Sequence, residues 1–305
     1  MKILVTGSSG TIGTRLCERL LKNHHDVVSV DWEHNRWSRE IDALTIHSDL
    51  RNEETFRKIP RDIEMIIHLA ANARVYELVE HPDRARDNIL TLFNVLEFAR
   101  KNAIQRFLFA SSRETYGNAG RESYTEDLVR IEHCESPYAA SKLAGEALTQ
   151  SYRTCYGIDH IIFRFSNVYG MYDVSERVVP LFIRLAKKNE PLVIFGKEKC
   201  LDFTYIDDAV DGILLATDKF EEVKNETYNL AFGKGETISR LAELIKGNMS
   251  SSSPIVFQES RTGEVAIYTA DTTKARLRLG FAPSVTLEEG MRKSVEWYGK
   301  RSTSA

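Results

Sequence analysis

The 305 residues carry 41 Lys and Arg against 44 Asp and Glu, a net charge of −3, with 28% charged and 42% hydrophobic residues. That scattered balance argues against nucleic acid or an anionic membrane as partner, and the length suits one large domain or two coupled ones with a full core. Cys17, Cys134, Cys155 and Cys200 lie far apart with no CxxC pair, so they read as thiols of a reducing compartment rather than a disulfide frame or a zinc site.

The chain opens on Ile3-Leu4-Val5, an apolar run with the length of a buried strand, which breaks at Gly7. It stops at Thr6, too short for a signal peptide, and no later run approaches membrane-spanning length, so the expected location is the cytoplasm. Helical spacing follows, with Ile12, Leu16, Leu20 and Leu21 on one face. The glycines of Gly7-Ser8-Ser9-Gly10-Thr11-Ile12-Gly13 allow positive φ and close approach of a pyrophosphate, to which the next helix offers its unpaired N–H groups. A second strand, Val27 to Val30, ends in Asp31, placed to take the ribose hydroxyls of a dinucleotide. Strand, glycine turn, helix, strand and terminal acid in register point to a dinucleotide-binding domain.

Trp32 to Trp37 reads as a surface loop edging the adenosine, and a short strand near Leu44-Thr45-Ile46 leads to Asp49-Leu50. Ile63 to Leu69 is another buried strand, and the small Ala70 and Ala71 after it let backbone lie beside a flat ring. Asn88 to Lys101 is expected to be a helix with Ile89, Leu92, Phe93, Leu96 and Ala99 as its apolar stripe. Phe107 to Ala110 is a strand ending in Ser111-Ser112, Pro137 to Tyr156 a long helix, and Ile161 to Phe165 the strand after it. This alternation implies an α/β fold, a parallel doubly wound Rossmann sheet covered on both faces. From about Gly170 the rhythm loosens into an irregular C-terminal substrate lobe. There Val178 to Lys188, Asp207 to Thr217 and Thr237 to Lys246 read as helices, Leu192 to Phe195 as a strand, and the serines from Ser250 to Ser253 as a mobile loop. The domain reading gives 1–170 to the dinucleotide, with 202–232 returning to it, and 171–201 with 233–300 to the substrate.

Ser136-Pro137 opens a helix on which Tyr138 and Lys142 stand one turn apart on one face. An ammonium there favours the phenolate, so the tyrosine becomes a candidate base. Ser112, at the end of an inner strand, is placed to share a substrate hydroxyl with it.

Several motifs together resemble the extended short-chain dehydrogenases/reductases, and more narrowly the nucleotide-sugar epimerases and dehydratases. They are Thr6-Gly7-x-x-Gly10-x-x-Gly13, His68-Leu69-Ala70-Ala71, Ser112-x-x-x-Tyr116-Gly117, Tyr138-x-x-x-Lys142 and Arg164-x-x-Asn167-Val168-Tyr169-Gly170. The likeness continues through Asp202-Phe203-x-Tyr205-Ile206-Asp207-Asp208, Arg261-x-Gly263-Glu264 and Ala270-Asp271-x-x-Lys274-Ala275, nearly the whole chain.

The resemblance implies a bound NAD, reduced and reoxidised in each turnover. In it Tyr138 takes the proton of the C4 hydroxyl of a UDP-sugar, Ser112 hydrogen-bonds that oxygen, and Lys142 holds the nicotinamide ribose and depresses the tyrosine pKa. Asp31 favours NAD over NADP. Asp49 and Leu50 match the adenine contacts, Leu69, Ala70, Ala71 and Ala73 the nicotinamide-side loop, and Asn88 and Ser166 complete the cofactor shell. Asn167, Val178, Phe195 and Arg261 match contacts to diphosphate and base, although Phe195 reads equally as core. Arg74, Arg113 and Arg177 are candidate partners of a uronate carboxylate. The resemblance also implies a homodimer, through a four-helix bundle of the Asn88–Lys101 and Pro137–Tyr156 helices.

Two departures stand out. Leu201 occupies the position where the family commonly has a diphosphate-clamping Arg, leaving that task to Arg177 or Lys199. Arg113-Glu114 replaces the adjacent Asp and Glu of the 4,6-dehydratases, which argues against that reaction. Ser-x-Glu is also the pattern of UDP-glucuronate decarboxylases, so Glu114 as a catalytic residue keeps decarboxylation open beside 4-epimerisation of a UDP-hexose or UDP-hexuronate. A non-catalytic dinucleotide sensor is the reading from another class, and the presence of Ser112, Tyr138 and Lys142 counts against it.

Overall fold

Short apolar runs without alternation can be satisfied only in strands buried on both faces, and these form the centre of the molecule. The computed structural model describes residues 1–301. In chain order it contains β1 (Lys2–Thr6), α1 (Thr11–Lys22), β2 (Asp26–Asp31), α2 (Arg39–Leu44), β3 (Thr45–His47), β4 (Met65–His68), α3 (Val75–Glu80), α4 (Asp83–Lys101), β5 (Arg106–Ser112), α5 (Pro137–Tyr156) and β6 (Asp159–Phe165). The second half adds β7 (Asn167–Tyr169), α6 (Val178–Lys187), β8 (Leu192–Phe195), β9 (Cys200–Tyr205), α7 (Ile206–Asp218), α8 (Phe220–Val223), β10 (Glu226–Leu230), β11 (Gly235–Thr237), α9 (Ile238–Met249), β12 (Ile255–Gln258), β13 (Ile267–Tyr268) and α10 (Leu287–Lys300).

Seven parallel strands run in the order β10-β6-β5-β4-β1-β2-β3, the doubly wound sheet that the alternation predicts. One apolar layer, with Leu16, Cys17 and Leu20 of α1, covers one face, while Leu92, Val95, Leu96 and Ala99 of α4 cover the other. Within 202–232, α7 packs on α1 and β10 completes the large sheet, whereas β9 pairs with β7, β11 and β13 in a smaller one. A third pair, β8 with β12, finishes the C-terminal lobe.

Three sequence expectations are corrected. Phe93, assigned to the apolar stripe of α4, is 43% exposed, because the buried arc is carried by Leu92, Val95 and Leu96 instead. The serine run is tied down rather than mobile: Ser251 Oγ donates to the Ala186 carbonyl at 2.8 Å, Ser252 N–H to Asn189 Oδ1 at 2.9 Å, and Ser253 is buried. The loop after β2 is only partly surface, since Asn35 is buried and Trp37 packs against Tyr172 and Trp297.

His68, at the end of β4, is buried with Nδ1 2.8 Å from Thr6 Oγ1. Burial, aided by the Lys142 charge, pushes its imidazole down to about 3. Between that value and the ordinary 6.5 the unfolded chain binds the extra proton, so stability falls as pH drops through this window. From pH 7 to pH 5 this group should cost about 2 kcal/mol. The check is a drop in urea midpoint that His68→Gln lacks.

Candidate active site

The carboxyl ends of β1, β2, β4 and β5 open onto two adjoining cavities, of about 750 and 350 Å³. Gly7, Gly10, Thr11, Leu69 and Ala71 line both, so the two form one trough. Gly7 has φ +75°, and a Cβ there would meet Ala70 N at 2.7 Å, so only glycine lets β1 turn beside the 69–71 loop. No side chain caps α1, whose first-turn N–H groups are left to an anion. Asp31 is oriented by the N–H groups of Ser9 and Glu33, each at 2.9 Å, while burial raises its pKa.

Asp31, Asp49, Leu50, Ala70 and Asn88 line the smaller cavity with Trp32 and Arg51, whose guanidinium lies 5.2 Å from the Trp32 ring. Asn88 is fixed by Asn72, whose N–H donates to Asn88 Oδ1 at 2.7 Å. This uncapped helix, glycine turn and carboxylate fit the pyrophosphate and ribose of NAD.

The larger cavity brings together Ile12, Gly13, Ala73, Arg74, Ser112, Arg113, Glu114, Tyr138, Lys142, Ser166, Asn167, Arg177, Val178, Phe195 and Arg261. Ser136 Oγ accepts from Ala139 N at 3.1 Å and starts α5, which sets Tyr138 and Lys142 on its inward face. Ser112 and Tyr138 line the same cavity, Ser112 Oγ accepting from Glu114 N at 3.2 Å, and Lys142 Nζ lies 5.8 Å from the Tyr138 ring centroid and donates to the Ala110 carbonyl at 2.7 Å. The expected depression of the tyrosine is not what the folded protein alone produces. Burial raises the Tyr138 pKa, opposed by the Ser112 hydroxyl, and burial also pushes Lys142 down to about 8.

Arg113 Nη2 pairs with Glu114 Oε1 at 2.7 Å, both side chains buried, and lies 3.3 Å from Asn167 Oδ1. Burial raises the Glu114 pKa and the Arg113 charge opposes it. Ser166 Oγ donates to the Asp202 carbonyl at 2.7 Å, and Asn167 Nδ2 to the same carbonyl at 3.0 Å. Of the two candidates for the diphosphate clamp, Lys199 is held by Glu264, whereas Arg177 makes only a long contact of 3.8 Å with Asp173. Arg261 Cζ lies 3.8 Å from the Phe195 ring centroid and 4.9 Å from that of Tyr76. Phe195 is therefore a site wall and not core. Tyr76 escaped the sequence reading because it belongs to no motif, although Ala73 and Arg74 beside it were singled out; Tyr172 and Asp173, which line the smaller cavity, lie in a stretch without a motif.

The model of the NAD dependent epimerase/dehydratase family matches residues 3–231. The chain belongs to that family. Among solved structures, a UDP-glucose 4-epimerase of Thermotoga maritima, with UDP-glucose, is 33% identical over 98% of this chain and 99% of that one, with a TM-score of 0.91. A UDP-glucuronic acid 4-epimerase of Bacillus cereus, in complex with UDP-glucuronic acid and NAD, is 28% identical over 98% and 99%, with a TM-score of 0.90. A dTDP-glucose 4,6-dehydratase of Salmonella typhimurium is 30% identical over 98% of this chain and 92% of its own. This member of the epimerase/dehydratase family is an NAD enzyme with the extended short-chain dehydrogenase/reductase architecture. Among the described residues no helix is long and apolar enough to cross a membrane.

Proposed function

We propose that the enzyme is a 4-epimerase of a UDP-hexose or UDP-hexuronate, acting through a 4-keto sugar. The observation that carries this reading is the contrast within the cavity. Tyr138 and Ser112 both line it, while the Glu114 carboxylate is engaged by Arg113. NAD, when bound, would supply the acceptor and the donor of a hydride at C4. Tyr138 withdraws the C4 hydroxyl proton and returns it after the sugar has turned its other face. Ser112 donates to the C4 oxygen as it becomes a carbonyl, and Lys142 holds the ribose and fixes the tyrosine. Arg177, Arg261 and Asn167 would hold diphosphate, Phe195 and Val178 the base, and Arg74 or Arg113 a uronate carboxylate. In this reading residues 1–170 and 202–232 serve the cofactor, and 171–201 with 233–300 the nucleotide sugar.

The test offers UDP-glucose and UDP-glucuronate separately, without added nicotinamide, and follows mass and proton NMR. An isomer of unchanged mass, inverted at C4, is expected. One observation keeps decarboxylation as a second reading: Glu114 Oε2 is buried without a partner. Carbon dioxide released from UDP-glucuronate would establish that reading instead. For an epimerase, Glu114→Gln should lower turnover less than about tenfold, while for a decarboxylase that uses the carboxylate the loss should reach the 10²–10⁴ range of acid–base groups.

We also propose a homodimer through α4 and α5, which lie side by side with Leu90, Phe93 and Tyr156 exposed by 38%, 43% and 53%. Light scattering should give twice the 34.8 kDa chain mass, and Phe93→Glu should return it towards one chain.

A further inference from the structure

Beyond the trough's glycine turn and catalytic end, one cluster of ligating side chains is left without a role. His34 follows β2, Asp42 lies on α2 and His47 ends β3, so three separate elements bring them together. His34 Nδ1 lies 3.2 Å from Asp42 Oδ1, and His47 Nε2 lies 3.4 Å from the same oxygen. One ligand atom from each residue falls within 4.8 Å of the others, and the two ring centroids are 4.0 Å apart.

His34 Nδ1 hydrogen-bonds to both Asp42 oxygens, at 3.2 and 3.3 Å, the long end of the N–H···O range. Nitrogen and oxygen ligands at about 2.0–2.1 Å from a tetrahedral ion stand about 3.3 Å from one another, so the same separations suit a shared ion. The carboxylate is also held as a ligand should be. Asn35 N–H donates to Asp42 Oδ1 at 2.7 Å, and Asn35 is itself pinned, with Nδ2 2.9 Å from Thr14 Oγ1 and Oδ1 accepting the N–H groups of Trp37 and Ser38 at 3.0 Å. The His34 side chain is 77% exposed, which leaves the solvent side open for water.

We propose that His34 Nδ1, a carboxylate oxygen of Asp42 and His47 Nε2 bind one divalent transition-metal ion of the zinc class, completed by water. Two imidazoles and one carboxylate suit that class, whereas magnesium and calcium take oxygen donors throughout. The ion would fasten two walls of the adenosine cavity. One is the 32–37 loop, through Trp32, Glu33, His34 and Trp37; the other is the Ser48-Asp49 continuation of β3.

The full-length protein, stripped of metal by chelator and dialysed against Zn²⁺, should carry one zinc per chain by elemental mass spectrometry. Co²⁺ in its place should give the visible absorption of a four-coordinate site. His34→Ala and His47→Ala, with folding checked by circular dichroism, should each weaken Zn²⁺ binding by more than about tenfold and abolish the Co²⁺ band. His34 is exposed enough that its replacement leaves the core untouched. Failure of the unaltered protein to take up stoichiometric zinc, or uptake that both substitutions leave unchanged, would overturn the assignment.

Discussion

Tyr138→Phe should lower turnover of the UDP-sugar about a thousandfold while the purified protein still carries NAD. The ring is buried between α5 and the cavity, and phenylalanine keeps its shape, so packing and cofactor contacts survive. What disappears is the one hydroxyl that lines the cavity beside Ser112 and moves the C4 proton. A positioned proton carrier is worth about 10²–10⁴, and both the oxidation and the return reduction draw on this one, which places the loss towards the upper part. NAD content after denaturation separates a chemical defect from a binding defect, and kcat should fall with little change in KM. A variant that keeps more than a tenth of the turnover removes Tyr138 as the base.

Gly13→Ala should destabilise the protein by at least about 4 kcal/mol or prevent it from folding. A Cβ at Gly13 would lie 2.0 Å from the Gly7 carbonyl oxygen and 2.8 Å from Ser8 Cα. Both obstacles are backbone, held between β1 and α1, so no side chain can swing away. Gly10→Ala is the matching contrast. Its Cβ meets only the Gly7 carbonyl oxygen, at 3.3 Å, while Gly10 lines both cavities. That protein should fold with a near-normal urea midpoint and lose NAD on gel filtration. Equal midpoints for the two variants would mean that helix–strand contact at Gly13 is looser than the geometry requires.

The first half of the fold was legible because its parallel strands must be apolar throughout and its helices amphipathic. The two periods therefore alternate visibly, and α5 begins at Pro137 and ends at Tyr156 as the sequence suggests. In the second half the helices Val178–Lys187, Ile206–Asp218 and Ile238–Met249 and the strand Leu192–Phe195 were legible too. The small sheet was not, for a physical reason: β7, β11 and β13 are two or three residues long, too short for any period to register. Ser112, Tyr138 and Lys142 were readable because each sits at a fixed offset from a strand end or a helix cap. The stacking of Arg261 on Phe195 and Tyr76 was not, since it joins three distant segments through packing alone. The same applies to Phe93, whose position in the stripe is right for the helical period and wrong for the arc that α4 buries.

The strand order has a consequence for biosynthesis. β10 pairs along the whole length from Glu226↔Ile161 to Leu230↔Phe165 and terminates the large sheet. On the ribosome, β6 therefore emerges about sixty residues before the strand that covers its open side. Throughout that interval the nascent chain presents unpaired peptide groups along an apolar border, the kind of surface that recruits neighbouring chains. A terminated product ending between 166 and 225 should accordingly be prone to aggregation, even though it would already include Ser112, Tyr138 and Lys142.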